Sequence, residues 1–173
     1  MKRKLPLAAL LVALVALAGC GYALVGRSSN LPADVRSVYI KPLENKTSRT
    51  QAEQFLTRAI ADEMVTRHRF SVIGSESGAD AELSGSVIGF GATPVTFDNT
   101  GRATQYEISI TAAMLFKRVG KDQVLWKNDR YNFRESYPVE VSSTGYFDQE
   151  NLALEKAAKH FAETMVSDLL EGF

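Results

Sequence analysis

Few residues in this chain are equipped for chemistry. Its 173 residues hold one cysteine, Cys20, and two histidines, His68 and His160. A lone thiol closes no disulfide and builds no thiolate metal site. There is no G-x-S-x-G elbow and no H-E-x-x-H pair. Neighbouring acids such as Asp62 and Glu63 point in different directions from a helix, so their carboxylates do not converge. "IGFGATP", residues 88–94, lacks the glycines and the following lysine of a phosphate loop. The two histidines fall among arginine, lysine and alanine and read as solvated helix residues. The expectation is a protein that is not an enzyme, with no cofactor and no metal. Cations do collect on one long hairpin and its turns: Arg102, Lys117, Arg118 and Lys121, then Lys127, Arg130 and Arg134. Asp98, Asp122, Asp129 and Glu135 are interspersed. This is either a mixed-charge surface or an edge that meets phosphates or carboxylates through charge-assisted bonds.

The position of Cys20 gives its sulfur a use. Met1-Lys2-Arg3-Lys4 is followed by an uncharged apolar run from Leu5 to Ala18, then Gly19-Cys20. A basic start, a short apolar stretch and small residues at a junction make a secretory signal. The run is too short for a bilayer span, which needs about 20 residues. Leu17-Ala18-Gly19-Cys20 resembles the bacterial lipobox, in which the thiol is diacylated and the new amino terminus is acylated. Residues 1–19 are thus expected to be a lipoprotein signal peptide, and 20–34 an acylated tether. One acyl chain holds only marginally, and three hold durably. Gly21 is not the aspartate that retains enteric lipoproteins at the inner membrane, which favours the periplasmic side of the outer membrane.

Cleavage would remove Lys2, Arg3 and Lys4 and no acid, leaving 17 basic against 20 acidic residues, a net −3. Such a chain has no global basic field for nucleic acid. About 150 mature residues suit one domain with its own core, residues 35–173.

The elements that must position these residues follow from periodicity. "VRSVYIKP" predicts a strand over Val35–Lys41, with "LENKTSR" as the turn after it. Thr50 and Glu53 have the spacing of a capping box. Apolar residues at 52, 55, 56, 59, 60, 64 and 65 predict an amphipathic helix to about His68. "FSVI" is a short strand. "AELSGSVIGFGATPVTF" is a long strand whose glycines and Pro94 suggest bulges or an edge. Tyr106, Ile108, Ile110, Ala112, Met114 and Phe116 then alternate with Glu107, Ser109, Thr111, Ala113, Leu115 and Lys117, one face for a core and one polar or small. "QVLWKNDRYNFRESY" is its antiparallel neighbour, and strands this long are expected to project beyond their helices. A second helix is predicted from about Asp148 to Glu171. The fold class is α+β: a two-layer α/β sandwich, with two amphipathic helices on one face of a mainly antiparallel, mixed sheet carrying a long hairpin. The other face stays free.

In order, "CGYALVG", "VRSVYIKPLENKT", "QAEQFLTRAIADEMVTR", "ADAELSGSVIGF", "TPVTFDNTGRATQYEISITAAMLF" and "VLWK" resemble the LptE family of LPS-assembly lipoproteins across the mature chain. That resemblance implies an α/β sandwich that plugs and scaffolds a large outer-membrane β-barrel, the LptD-type LPS-assembly protein, and helps deliver lipopolysaccharide to the outer leaflet. Its partners would be that barrel, lipopolysaccharide and the outer membrane, with no nucleic acid. Arg102, Lys117, Arg118 and Lys121 are then candidates for lipid A phosphates, and Ser109, Thr111 and Ala113 for the barrel interior. Asp98 stands where a basic residue would suit a phosphate better. The stretch from "VYIKPLENKT" to "SGADAELSGSV" also resembles the β-α-β half of curli-secretion and wall-synthase-activator lipoproteins, which is the alternative reading.

Overall fold

The computed structural model describes residues 31–138 and 146–172, with the side chains of 146–150 excepted. The expected signal peptide, Cys20 and most of the tether lie outside the described residues. So does most of the loop before the last helix.

Strands β1 (Ser37–Ile40), β2 (Glu44–Asn45), β3 (Ser71–Ile73), β4 (Ala81–Phe97), β5 (Ala103–Arg118) and β6 (Val124–Pro138) form one sheet, with helices α1 (Ala52–Thr66) and α2 (Tyr146–Glu171) beside it. The strand order is β3-β1-β4-β5-β6, with β2 also on β4. β1 is parallel to β3 and β4, whereas β4, β5 and β6 form an antiparallel meander. The sheet is therefore mixed, and the fold is the α+β sandwich expected.

The alternation in β5 decides which face the helices cover. Ile108, Ile110, Ala112, Met114 and Phe116 are buried, and Leu83 and Val87 of β4 join them. Onto this face α2 lays Leu154, Ala157, Ala158, Phe161, Ala162, Met165, Val166 and Leu169, all at most 1% exposed. The ring of Phe161 meets Tyr131 and Phe133 of β6 edge-on, at centroid distances of 5.4 and 6.0 Å. The Tyr131 hydroxyl donates to Asp168 Oδ2 at 2.9 Å. Burial is the main reason that its pKa is pushed up to about 12. α1 contributes Ala52, Leu56, Ile60 and Met64, while Val65, at the end of its stripe, is 54% exposed.

Three local expectations are corrected. The ladder of β1 is shorter than Val35–Lys41, because the Val35 N–H is used in a turn, donating to the Pro32 carbonyl. The predicted turn after it contains β2, where Lys46 N–H donates to the Val87 carbonyl at 2.9 Å. The capping box does not form. Gln51 caps α1 in a left-handed conformation, φ 68°, with no side-chain cap. The Glu53 carboxylate instead accepts from Asn45 Nδ2 at 2.7 Å, which ties α1 to β2.

The long strands do run past the helices. Residues 92–97 of β4 are all exposed, including Val95 and Phe97. The expected bulges fall at Ile88 and about Val95, where the β4–β5 register shifts.

Candidate binding face and hairpin ends

Ser109, Thr111 and Ala113 lie together on the helix-free face, each half-buried. β4 sets Gly91, Gly89 and Ser86 opposite them in register. The side chains of this band are small, and β6 borders it with Asn132 and the exposed Arg134, which reaches Glu107 at 3.4 Å. Thr111 donates its hydroxyl to Asn132 Oδ1 on β6 at 3.0 Å. Next to this band Gly85 faces the core opposite Met114 and marks the tightest approach, since a Cβ there would come within 2.4 Å of the Ala113 carbonyl and 2.7 Å of Met114 Sδ. Beside it a shallow hollow of about 320 Å³ opens between Lys41 and Glu44 on one wall and Lys127 and Asp129 on the other.

The four candidate cations are not brought together. Arg102 follows the β4–β5 turn, while Lys117, Arg118 and Lys121 sit at the far end of β5. Sixteen residues of strand separate these ends by roughly 50 Å at 3.3 Å per residue. Arg118 is engaged within the protein, its guanidinium 2.5 Å from Asp34 Oδ1. That bond lowers the Asp34 pKa and raises that of Arg118 further. Lys117 reaches the buried Glu82 at 3.9 Å. Lys121 and Arg102 are exposed on their turns.

Asp98 has a structural role that accounts for the acid in this turn. Its Oδ1 accepts from the Thr100 hydroxyl, the Thr100 N–H and the Arg102 N–H at 2.6–2.9 Å. These bonds, led by the Thr100 hydroxyl, hold its carboxyl below the usual range. Asp80 acts similarly at the other end. It accepts from the Arg36 and Ser37 N–H groups and the Ser37 hydroxyl, and its pKa is lowered chiefly by the two backbone donors.

His160 is not simply a solvated residue. Its Nδ1 lies 2.8–2.9 Å from both Glu135 oxygens, and the Tyr137 hydroxyl donates to the same carboxylate at 2.9 Å. Burial is the main cause of the raised Tyr137 pKa, followed by this bond. The sequence held a signal for this cluster. Glu135 shares the core-facing parity of Tyr131, Phe133 and Tyr137, so it needed a partner from α2. His68 is exposed with φ 51° just after α1. Among the described residues, no group of three or more His, Cys, Asp or Glu could hold a metal ion.

Solved structures share this arrangement at low identity. The hypothetical protein CT253 from Chlamydia trachomatis is 10% identical with a TM-score of 0.53, covering 80% of this chain and 96% of its own. Protein XCC0632 from Xanthomonas campestris is 13% identical with a TM-score of 0.53, covering 82% and 88%. PelC from Paraburkholderia phytofirmans, a dodecamer, is 16% identical with a TM-score of 0.50, covering 81% and 89%. No curated protein matches the chain by sequence. The class these likenesses define is a fold: two helices over one face of a mixed sheet. Residues 35–169 match the LptE family, described as lipopolysaccharide-assembly, and the chain belongs to that family.

Proposed function

We propose that the protein is an outer-membrane lipoprotein, acylated at Cys20 and facing the periplasm. In this reading it plugs and scaffolds an LptD-type β-barrel and assists the delivery of lipopolysaccharide to the outer leaflet. The family match over residues 35–169 is the observation that carries this reading. The helix-free face supports it: a band of serine, threonine, alanine and glycine lets a barrel wall approach the sheet backbone through Ser109, Thr111 and Ala113.

Arg102, Lys117, Arg118 and Lys121 are assigned to lipid A phosphates, but as two separate contacts. Arg102 and Lys121 are the exposed members, and Arg118 acts mainly within the protein. The chain from Cys20 to Leu31 spans at most about 40 Å when fully extended. It enters the domain beside the β5–β6 turn, where Asp34 meets Arg118. That end is therefore the membrane-proximal one, and the Arg102 turn points away from the anchor.

Affinity purification of the tagged protein from detergent-solubilised envelopes is the test. A large β-barrel in roughly one-to-one amount, surviving stringent washing and accompanied by lipopolysaccharide, is expected. Recovery as a ring-forming homo-oligomer, or with a wall synthase, would replace this reading with the curli-secretion or wall-synthase alternative. Charge reversal at Arg102 and Lys121 is expected to weaken lipopolysaccharide binding more than reversal at Lys117.

A further inference from the structure

The chain enters the domain through a turn that two distant arginines hold. Pro32 to Val35 make this turn, closed by the Val35 N–H donating to the Pro32 carbonyl at 3.1 Å. Arg69, on the connection between α1 and β3, bridges its two ends. Nη1 of Arg69 donates to the Val35 carbonyl at 3.1 Å and Nη2 to the Pro32 carbonyl at 3.4 Å. The guanidinium lies 4.9 Å from the centre of the Phe70 ring, which packs in turn against Phe116. Arg118 of β5, its side chain only 12% exposed, pairs with Asp34 of the same turn. Leu31 and Val35 are buried.

The residue types suit a grip on backbone. A guanidinium is planar and carries several donors, so it can bond two carbonyls at once in a fixed geometry. Arg69 is the last of three consecutive basic residues, and the fold sorts them. Arg67 bonds Glu63 one helical turn back, and His68 is exposed. The left-handed backbone of His68, φ 51°, turns the chain between them, and Arg69 meets the entering turn. Strand pairing begins only at Ser37, beyond that turn. Leu31 to Val35 are therefore held by apolar burial and by the two arginines.

We propose that Arg69 is a positioning residue for the lipid tether. With Arg118 it docks residues 31–35 on the domain, so that the anchor is carried on a short chain that leaves beside the β5–β6 turn. This rests on the acylation of Cys20 proposed above. With the turn docked, the chain from Cys20 to Leu31 spans at most about 40 Å, whereas a chain released as far as Ser37 would span about 60 Å. A shorter tether keeps the domain at a higher effective concentration near its membrane.

Two proteases, acting on membranes that hold the acylated full chain, test this. One cuts before aspartate, and Asp34, inside the docked turn, is the first aspartate after Cys20. Trypsin cuts after Arg27, outside the turn. Arg69→Gln is expected to speed release of the domain by the first protease at least about tenfold, the scale of one lost charge-assisted bond, and to leave release by trypsin unchanged. Equal release of both chains by the aspartate-directed protease would overturn the proposal. So would faster release by both proteases, which marks loosening of the whole domain rather than of the turn. Both of those results leave the acylation standing. A chain already in the soluble fraction before digestion carries no lipid tether, and that result would overturn the acylation and the inference together. If Arg69→Gln folds poorly, Arg69→Lys decides. It keeps the charge but not the two-pronged bond, so release about threefold faster is expected, and an unchanged rate would overturn the docking role.

Discussion

At Gly85 a single hydrogen separates a good strand from a broken one. A methyl group there meets a backbone carbonyl at 2.4 Å and Met114 Sδ at 2.7 Å, and the carbonyl cannot move without β5. Gly85→Ala is expected to cost about 1–3 kcal/mol in denaturant unfolding. Asp80 joins β1 to β4 through three bonds to its carboxylate, and its folded pKa is lowered from 3.8. A depressed acid contributes stability that is fully present above the unfolded pKa and lost as pH falls through the folded one. Asp80→Asn is therefore expected to lower Tm at neutral pH, and the gap to the unsubstituted protein should shrink as pH drops below 3.8. A gap that stayed constant down to acid pH would mean that the carboxylate charge contributes nothing. Neither role was legible in sequence. Gly85 resembles any other strand glycine, and Asp80 any other loop acid, until the strand opposite them is known.

The helices were legible as elements, but their ends were not. Periodicity located α1 and α2 because seven or more apolar positions repeat at the helical spacing in each, and burial follows that repeat. Thr50 and Glu53 had the spacing of a capping box, yet Asn45 competes for the Glu53 carboxylate from β2, and Gln51 enters the left-handed region instead. Two outcomes follow for α1. Thr50→Ala is expected to change stability by less than about 0.5 kcal/mol, well under the usual loss of a cap. Gln51→Gly is expected to stabilise by roughly 0.5–1 kcal/mol, relief of left-handed strain outweighing the entropy of glycine. Chemical denaturation of the two variants side by side checks both.

For the whole molecule, the arrangement of the cations matters more than their number. Along the chain, Arg102 and Lys121 belong to the same hairpin region, yet extended strand carries them to opposite ends of the sheet. Asp34 then neutralises Arg118 across 84 residues. The proposed lipid anchor at Cys20 would act on the molecule as a unit. Cys20→Ser is expected to shift the protein from the membrane fraction to the soluble fraction of envelopes, because without acyl chains no described helix is long and apolar enough to hold it there. Retention in the membrane fraction would mean that a bound partner, rather than lipid, keeps it there.

By itself the sequence determined the class of elements, the core face of β5 and of both helices, and the family, because each is written as a local period or an ordered set of short motifs. Tertiary structure alone decided the parallel pairing of β1 on β4, the partner of His160 and which cations remain free. These depend on residues distant in sequence meeting in register, and local spacing carries no record of which strand will lie alongside.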